Sequence, residues 1–266
     1  HGRVARCVSM AETCDGVNHC DDGEDELMCN ITDCHSQCTC LHHATYCARL
    51  RLISKLHQED LYILKYLEIH QGLVFLLPDD FDPFPHILFL NLSQNYIMHV
   101  CGFRGISFFQ PLHQTRLLDL ESNFIKVLLA GCFHGLKSLT FLSLKNNQIS
   151  DIRKGSFIGM FSLTTLQLSN NRIISLKNSI FLGLRQLDIL YLQDNNIKYL
   201  ETNAFTGLDL MFLGTYNYKV CCLYKKANAV CLAVWHWMSS CSDLLSNTAM
   251  RVIIWGICTI SLTFNI

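Results

Sequence analysis

Two carboxylates stand two positions apart in RLLDLESNFI (residues 116–125): Asp119 and Glu121, interleaved with Leu118 and Leu120. In an extended segment this alternation turns the leucines to one face and the acids to the other. Acids on an exposed strand face can attract a basic ligand, pair with a neighbouring base, or stay solvated. The elements that hold the segment decide among these.

Those elements recur. Asn123, Asn147, Asn171 and Asn195 follow one another at a constant interval, in RLLDLESNFI itself and in LTFLSLKNNQI (139–149), LTTLQLSNNRI (163–173) and LDILYLQDNNI (187–197). A Phe follows each of the last three copies, at 157, 181 and 205, with a Gly two residues later. ILFLNLSQNYI (87–97) is a further copy upstream of RLLDLESNFI, set off from it by a slightly longer step. YLEIHQGLVFLLPDDF is a weaker one, with Gly72 where Asn is expected. This is the leucine-rich-repeat pattern. No single repeat can bury its own leucines, so neighbours stack into a curved parallel β-solenoid of the α/β repeat class. Strands are expected to centre near Leu90, Leu118, Leu142, Leu166 and Leu190, with Asn satisfying backbone groups at the turn and Phe filling the convex side.

Stepping by the repeat interval names the columns of the concave face. Leu117, Phe141, Thr165 and Ile189 form one; Asp119, Ser143, Gln167 and Tyr191 the next; Glu121, Lys145, Ser169 and Gln193 the third. Adjacent strands lie about 4.8 Å apart, so Glu121 falls within reach of Lys145. A surface pair of this kind contributes about 0–1 kcal/mol and needs no ligand. The apolar column beside the acids favours a basic peptide instead.

The chain has 266 residues, 50% of them hydrophobic, and a formal net charge of −1. Without clustered Lys and Arg, nucleic acid is excluded as a partner. Fifteen cysteines, eight of them between Cys7 and Cys47, point to disulfides and an extracellular location. Cys101 and Cys132 sit on adjacent repeats and are expected to pair on that ground alone. The sequence begins without a signal peptide, which reads as a fragment of a secreted or membrane protein. VIIWGICTISLTFNI (252–266) is apolar without a charge, and reads as the start of a transmembrane helix rather than a buried terminal one. Asn30 and Asn91 head N-glycosylation sequons, the second on a concave strand where a glycan would cover one edge of the face.

Cys34, Cys38, Cys40 and Cys47 resemble the N-terminal cysteine cap of extracellular leucine-rich repeats, which implies the pairs Cys34–Cys40 and Cys38–Cys47. CVSMAETCDGVNHCDDGEDELMC (7–29) resembles the last part of an LDL-receptor class A module. That resemblance implies a Cys14–Cys29 bridge and a Ca2+ ion bound by Asp15, Asp25 and Glu26, with His19 at the fourth ligand position.

The order of these segments resembles the relaxin-family peptide receptors, which are leucine-rich-repeat G-protein-coupled receptors carrying a class A module. The implied organisation is a truncated module at 1–29, a linker at 30–33, a cap at 34–60 and repeats at 61–213. A cysteine-containing hinge at 214–248 and the first transmembrane helix from 249 to 266 complete it. In that family, acids on the concave face clasp arginines of the hormone, and two of them carry over to Asp119 and Glu121. The family's second acidic pair falls here on Thr165 and Gln167. The resemblance thus implies a relaxin/insulin-like peptide as ligand, against a face that includes Leu117, Phe141, Gln167 and Tyr191. It also implies a heterotrimeric G protein as partner through a seven-helix domain, at the plasma membrane. Alternatives are a single-pass adhesion or recognition receptor and a secreted matrix protein. No catalytic constellation is present, and His42-His43 has no acid at metal-ligand spacing, so an enzyme is not expected.

Overall fold

The computed structural model describes residues 72–215 without a break, together with 17, 19, 31, 34, 36, 38–41, 44–48, 61, 63–70 and 230–232. Asp15, Asp25, Glu26, Cys14, Cys29, Asn30 and the apolar segment 249–266 lie outside the described residues.

Short strands follow one another along the chain. β1 (Cys38–Leu41), β2 (Ala44–Cys47), β3 (Tyr66–Ile69), β4 (Phe89–Asn91) and β5 (Leu117–Asp119) come first. Then come β6 (Val127–Leu128), β7 (Phe141–Ser143), β8 (Asp151–Ile152), β9 (Thr165–Gln167) and β10 (Ser175–Leu176). β11 (Ile189–Tyr191), β12 (Tyr199–Leu200), β13 (Phe212–Gly214) and β14 (Val230–Leu232) complete the series. Among the described residues one ten-stranded sheet runs β1-β2-β3-β4-β5-β7-β9-β11-β13-β14, and β6-β8 and β10-β12 form two small sheets beside it. Every pairing in the large sheet is parallel except the β1–β2 hairpin. The five strands expected from the repeat are centred on Leu90, Leu118, Leu142, Leu166 and Leu190, and these leucines are fully buried. β14 carries the sheet past the repeat boundary expected at 213, because Val230 pairs with Phe212.

Three internal devices hold the coils together. The first is a ladder of asparagines. Asn147 accepts the Ile125 N–H at 3.0 Å and donates to the Leu120 carbonyl at 2.9 Å, both in the preceding coil. It also donates to its own coil's Leu144 carbonyl at 3.2 Å. Asn123, Asn171 and Asn195 repeat this pattern on Ile97, Ile149 and Ile173. An amide carries both donors and an acceptor, which is why Asn suits a turn that buries unpaired backbone of both kinds. The residue before each Asn has φ between 53° and 57°, a left-handed conformation that closes the turn.

The second device is an aromatic spine. Phe81, Phe109, Phe133, Phe157, Phe181 and Phe205 stack in sequence with ring centroids 5.6–6.1 Å apart. Strands on the opposite side are spaced at only about 4.8 Å. The wider spacing on the Phe side bends the stack, with the strands on the inside. The third device is the cap: Cys34–Cys40 and Cys38–Cys47 are bonded, with S–S distances of 2.08 and 1.98 Å. A further bond joins Cys101 to Cys132 on neighbouring coils.

The weak repeat departs from the frame for a physical reason. Leu67 pairs with Leu90, yet Asn95 accepts from Gly72 N–H at 3.2 Å and Leu73 N–H at 3.0 Å, one position earlier than in other coils. That coil is one residue tighter, and its backbone passes close to Ala48: a Cβ on Gly72 would sit 2.7 Å from the Ala48 carbonyl oxygen. Only glycine fits there, so the ladder loses a rung at 72, while Asn95 keeps the regular bond to the preceding coil by donating to the Ile69 carbonyl at 2.6 Å.

Candidate functional site

The concave columns follow the strand register. Tyr66, Phe89, Leu117, Phe141, Thr165, Ile189 and Phe212 are successive partners in one column. Tyr46, Glu68, Asn91, Asp119, Ser143, Gln167 and Tyr191 form the next. Leu117, Asp119, Phe141, Gln167 and Tyr191 are all half-buried on this face. Phe89 is 39% exposed, which leaves a continuous apolar strip Phe89–Leu117–Phe141 alongside the acids. Phe89 and Glu68 extend the columns beyond the residues the repeat interval names, and carrying those columns back from Leu117 and from Asn91 through the two earlier copies reaches both.

Asp119 is not the freely solvated acid that its outward position suggests. Its Oδ1 accepts the Glu121 N–H at 2.8 Å, so the carboxylate closes the turn leaving the strand. Burial holds its carboxyl above the ordinary carboxylate range, and the Glu121 charge pushes in the same direction. The Glu121 amide, the Ser143 hydroxyl and Lys145 pull back. Ser143, expected to project outward in the same column, is instead buried at 2% exposure. A small side chain between Asp119 and Gln167 lies in the floor of the face rather than on it.

Glu121 is paired. Its Oε1 lies 3.1 Å from Lys145 Nζ and accepts from Asn146 Nδ2 at 2.9 Å. Asn146 in turn accepts from Asn170 Nδ2 at 2.8 Å, extending a polar row across three coils. The cross-strand ion pair anticipated from the repeat interval is therefore present, and any cationic ligand competes with Lys145 for this carboxylate.

A second polar group lies at the N-terminal end of the face. The Tyr66 hydroxyl donates to Glu68 Oε2 at 2.7 Å, and burial together with that acceptor pushes the phenol up to about 12. Tyr46 packs on the Tyr66 ring at 5.4 Å. Asn91, the sequon residue, stands between Glu68 and Asp119, and its Oδ1 accepts from Ser93 N–H at 3.0 Å. It is thus at the middle of the column of polar groups, not at its edge. Among the described residues no group of His, Cys, Asp and Glu is arranged to hold a metal ion.

Parallel strands, the asparagine ladder and a disulfide cap define the class: the chain is a leucine-rich-repeat protein built as a β-solenoid. The family signature described as Leucine rich repeat matches residues 113–173 and 161–213. Among solved structures, the chain is similar to that titled the TLR13–ssRNA13 complex, at 24% identity and a TM-score of 0.46. The match covers 71% of this chain and 29% of that one. No curated protein matches the sequence. The disulfides accord with an extracellular domain. Among the described residues no helix is long and apolar enough to cross a membrane.

Proposed function

We propose that the chain is the ectodomain part of a G-protein-coupled receptor that binds a relaxin/insulin-like peptide on its concave face. One observation carries the reading: a half-buried acid, Asp119, held by a backbone N–H beside the apolar strip Phe89–Leu117–Phe141. An arginine pairs well with such a fixed carboxylate, and the adjoining strip accepts the ligand's apolar side chains. On this reading residues 249–266 begin the membrane domain at the plasma membrane, through which a heterotrimeric G protein is engaged. Asp15, Asp25 and Glu26 then bind Ca2+ in the N-terminal module.

The test is a titration with a relaxin-like peptide. Asp119→Asn and Glu121→Gln should each weaken binding by about 1.5–3 kcal/mol, the scale of a charged hydrogen bond. Lys145→Ala should leave affinity equal or higher, since it frees Glu121 from its present partner. Added salt should weaken the complex. Equal affinity of the wild type and the double neutral variant at low salt would remove the clasp.

A further inference from the structure

The step from Leu90 to Leu118 is longer than the equal steps from Leu118 to Leu142, Leu166 and Leu190, and the structure shows where the extra length goes. Between Cys101 and Ser107, which form an isolated antiparallel bridge, the chain folds out as a small loop. Gly102 N–H donates to the Ile106 carbonyl at 2.8 Å, and Gly105 N–H to the Gly102 carbonyl at 3.1 Å. Its base is pinned twice to the next coil, by the Cys101–Cys132 bond and by Ser107 Oγ donating to the Cys132 carbonyl at 2.8 Å.

The tip of this loop presents an aromatic, a cationic and an aliphatic side chain together. Phe103 is 83% exposed and Ile106 57%, and the Arg104 guanidinium lies 5.5 Å from the Phe103 ring centroid. Among the described residues Arg104 has no carboxylate partner. It sits at φ 63°, unusual for a side chain of this size, and Gly105 at φ 78° lets the loop press against the Ala130 carbonyl. Backbone bonds that close the loop and the two pins at its base keep these side chains presented together, as anchor residues at an interface are.

We propose that this tip docks the acidic stretch DDGEDELM (residues 21–28) of the same chain. The chemistry is complementary. Five carboxylates in that stretch meet a free guanidinium, and Leu27 and Met28 follow them as Phe103 and Ile106 flank Arg104. Where Asp25 and Glu26 hold a cation, Asp21, Asp22 and Glu24 stay available. The connection is short as well. Ile31 packs against the solenoid core and Cys34 is bonded to Cys40, so the stretch is tethered at the cap. The strand bearing the tip's coil lies two sheet spacings from the cap strand, about 10 Å along the stack. Seven extended residues from Ile31 back to Glu24 reach about 23 Å. Tethering at that range sustains millimolar effective concentration, enough for a few contacts to hold. The docking is independent of what the concave face binds.

Zero-length carbodiimide cross-linking of the full chain carrying Arg104→Lys tests this, because the substitution keeps the charge and supplies an amine. Mass spectrometry should find an intrachain amide from position 104 to Asp21, Asp22 or Glu24. Adding Phe103→Ser should cut its yield several-fold, with far-UV circular dichroism unchanged. An interchain product from position 104 would assign the tip to a second copy of the chain and overturn the proposal. So would a link only to acids outside 21–26, no link at all, or a yield indifferent to Phe103→Ser.

Discussion

The coils from β5 to β13 and the two coils before them are made by the same rules, yet they differ in tolerance. The later coils keep their period: each Asn bonds the same backbone groups, each Phe stacks on the next, and their columns run in register. The earlier two break it in opposite directions, one by a residue too few at Gly72, the other by the loop at 102–106. Both departures leave the buried leucines in place. The lesson is that the interior fixes where a coil starts and where its Phe falls. Length in between is free to change where backbone bonds can be closed another way.

The largest effect that would break this comparison is in the ladder. Asn147→Leu leaves the buried Ile125 N–H without a partner, while the Leu120 and Leu144 carbonyls keep the bonds they accept from Asn123 and Asn171. One bare buried N–H costs about 1–3 kcal/mol, and with the lost amide–carbonyl bonds urea unfolding should show a loss of roughly 2–4 kcal/mol. The tight coil should be next. Gly72→Ala forces a methyl against the Ala48 carbonyl and should cost about 1–3 kcal/mol, whereas glycine-to-alanine at Gly207, whose Cβ site is open, should differ because only its φ of 88° resists.

A smaller effect, with a definite sign, separates Asp119 from the ladder. Its folded carboxyl lies above its unfolded one, because burial disfavours the charge. The folded state therefore binds the proton more tightly, and stability falls as pH rises from the unfolded value to the folded one. Asp119→Asn removes that dependence while keeping an oxygen for the Glu121 N–H. Denaturant titrations should place the two proteins together below the carboxylate range and the variant at or above wild type at neutral pH. The smallest change sharpens the contrast from the other side. Phe103→Ala, in the added loop, should alter stability by no more than about 0.5 kcal/mol, since its side chain is solvated.

Much of this was legible in the sequence because a constant period fixes both strand and column: Leu118, Leu142, Leu166 and Leu190 are central in their strands, and Glu121 meets Lys145. The cap pairs followed from a resemblance in spacing, and the Cys101–Cys132 bond from adjacency of coils. What escaped the reading lies where period and local chemistry part. Alternation marks Ser143 and Asp119 as outward, but a short side chain beside Gln167 is covered by its neighbours, and a carboxylate just ahead of an N–H turns back to accept it. Gly72 reads as a missing asparagine; its cause, the nearby Ala48 carbonyl, belongs to the cap segment before the repeats and cannot be seen from the repeat.

The asparagine ladder also sets a direction in time. Each Asn serves the coil made before it: Asn123 completes Ile97, Asn147 completes Ile125, Asn171 completes Ile149. On a ribosome the earlier coil emerges first and stays unfinished until the next 22 to 26 residues have been added. At about 5–20 residues per second, that is a wait of roughly one to five seconds for every coil. Through that interval the growing end always exposes one incomplete turn, so the last coil added is the one that needs an external lid.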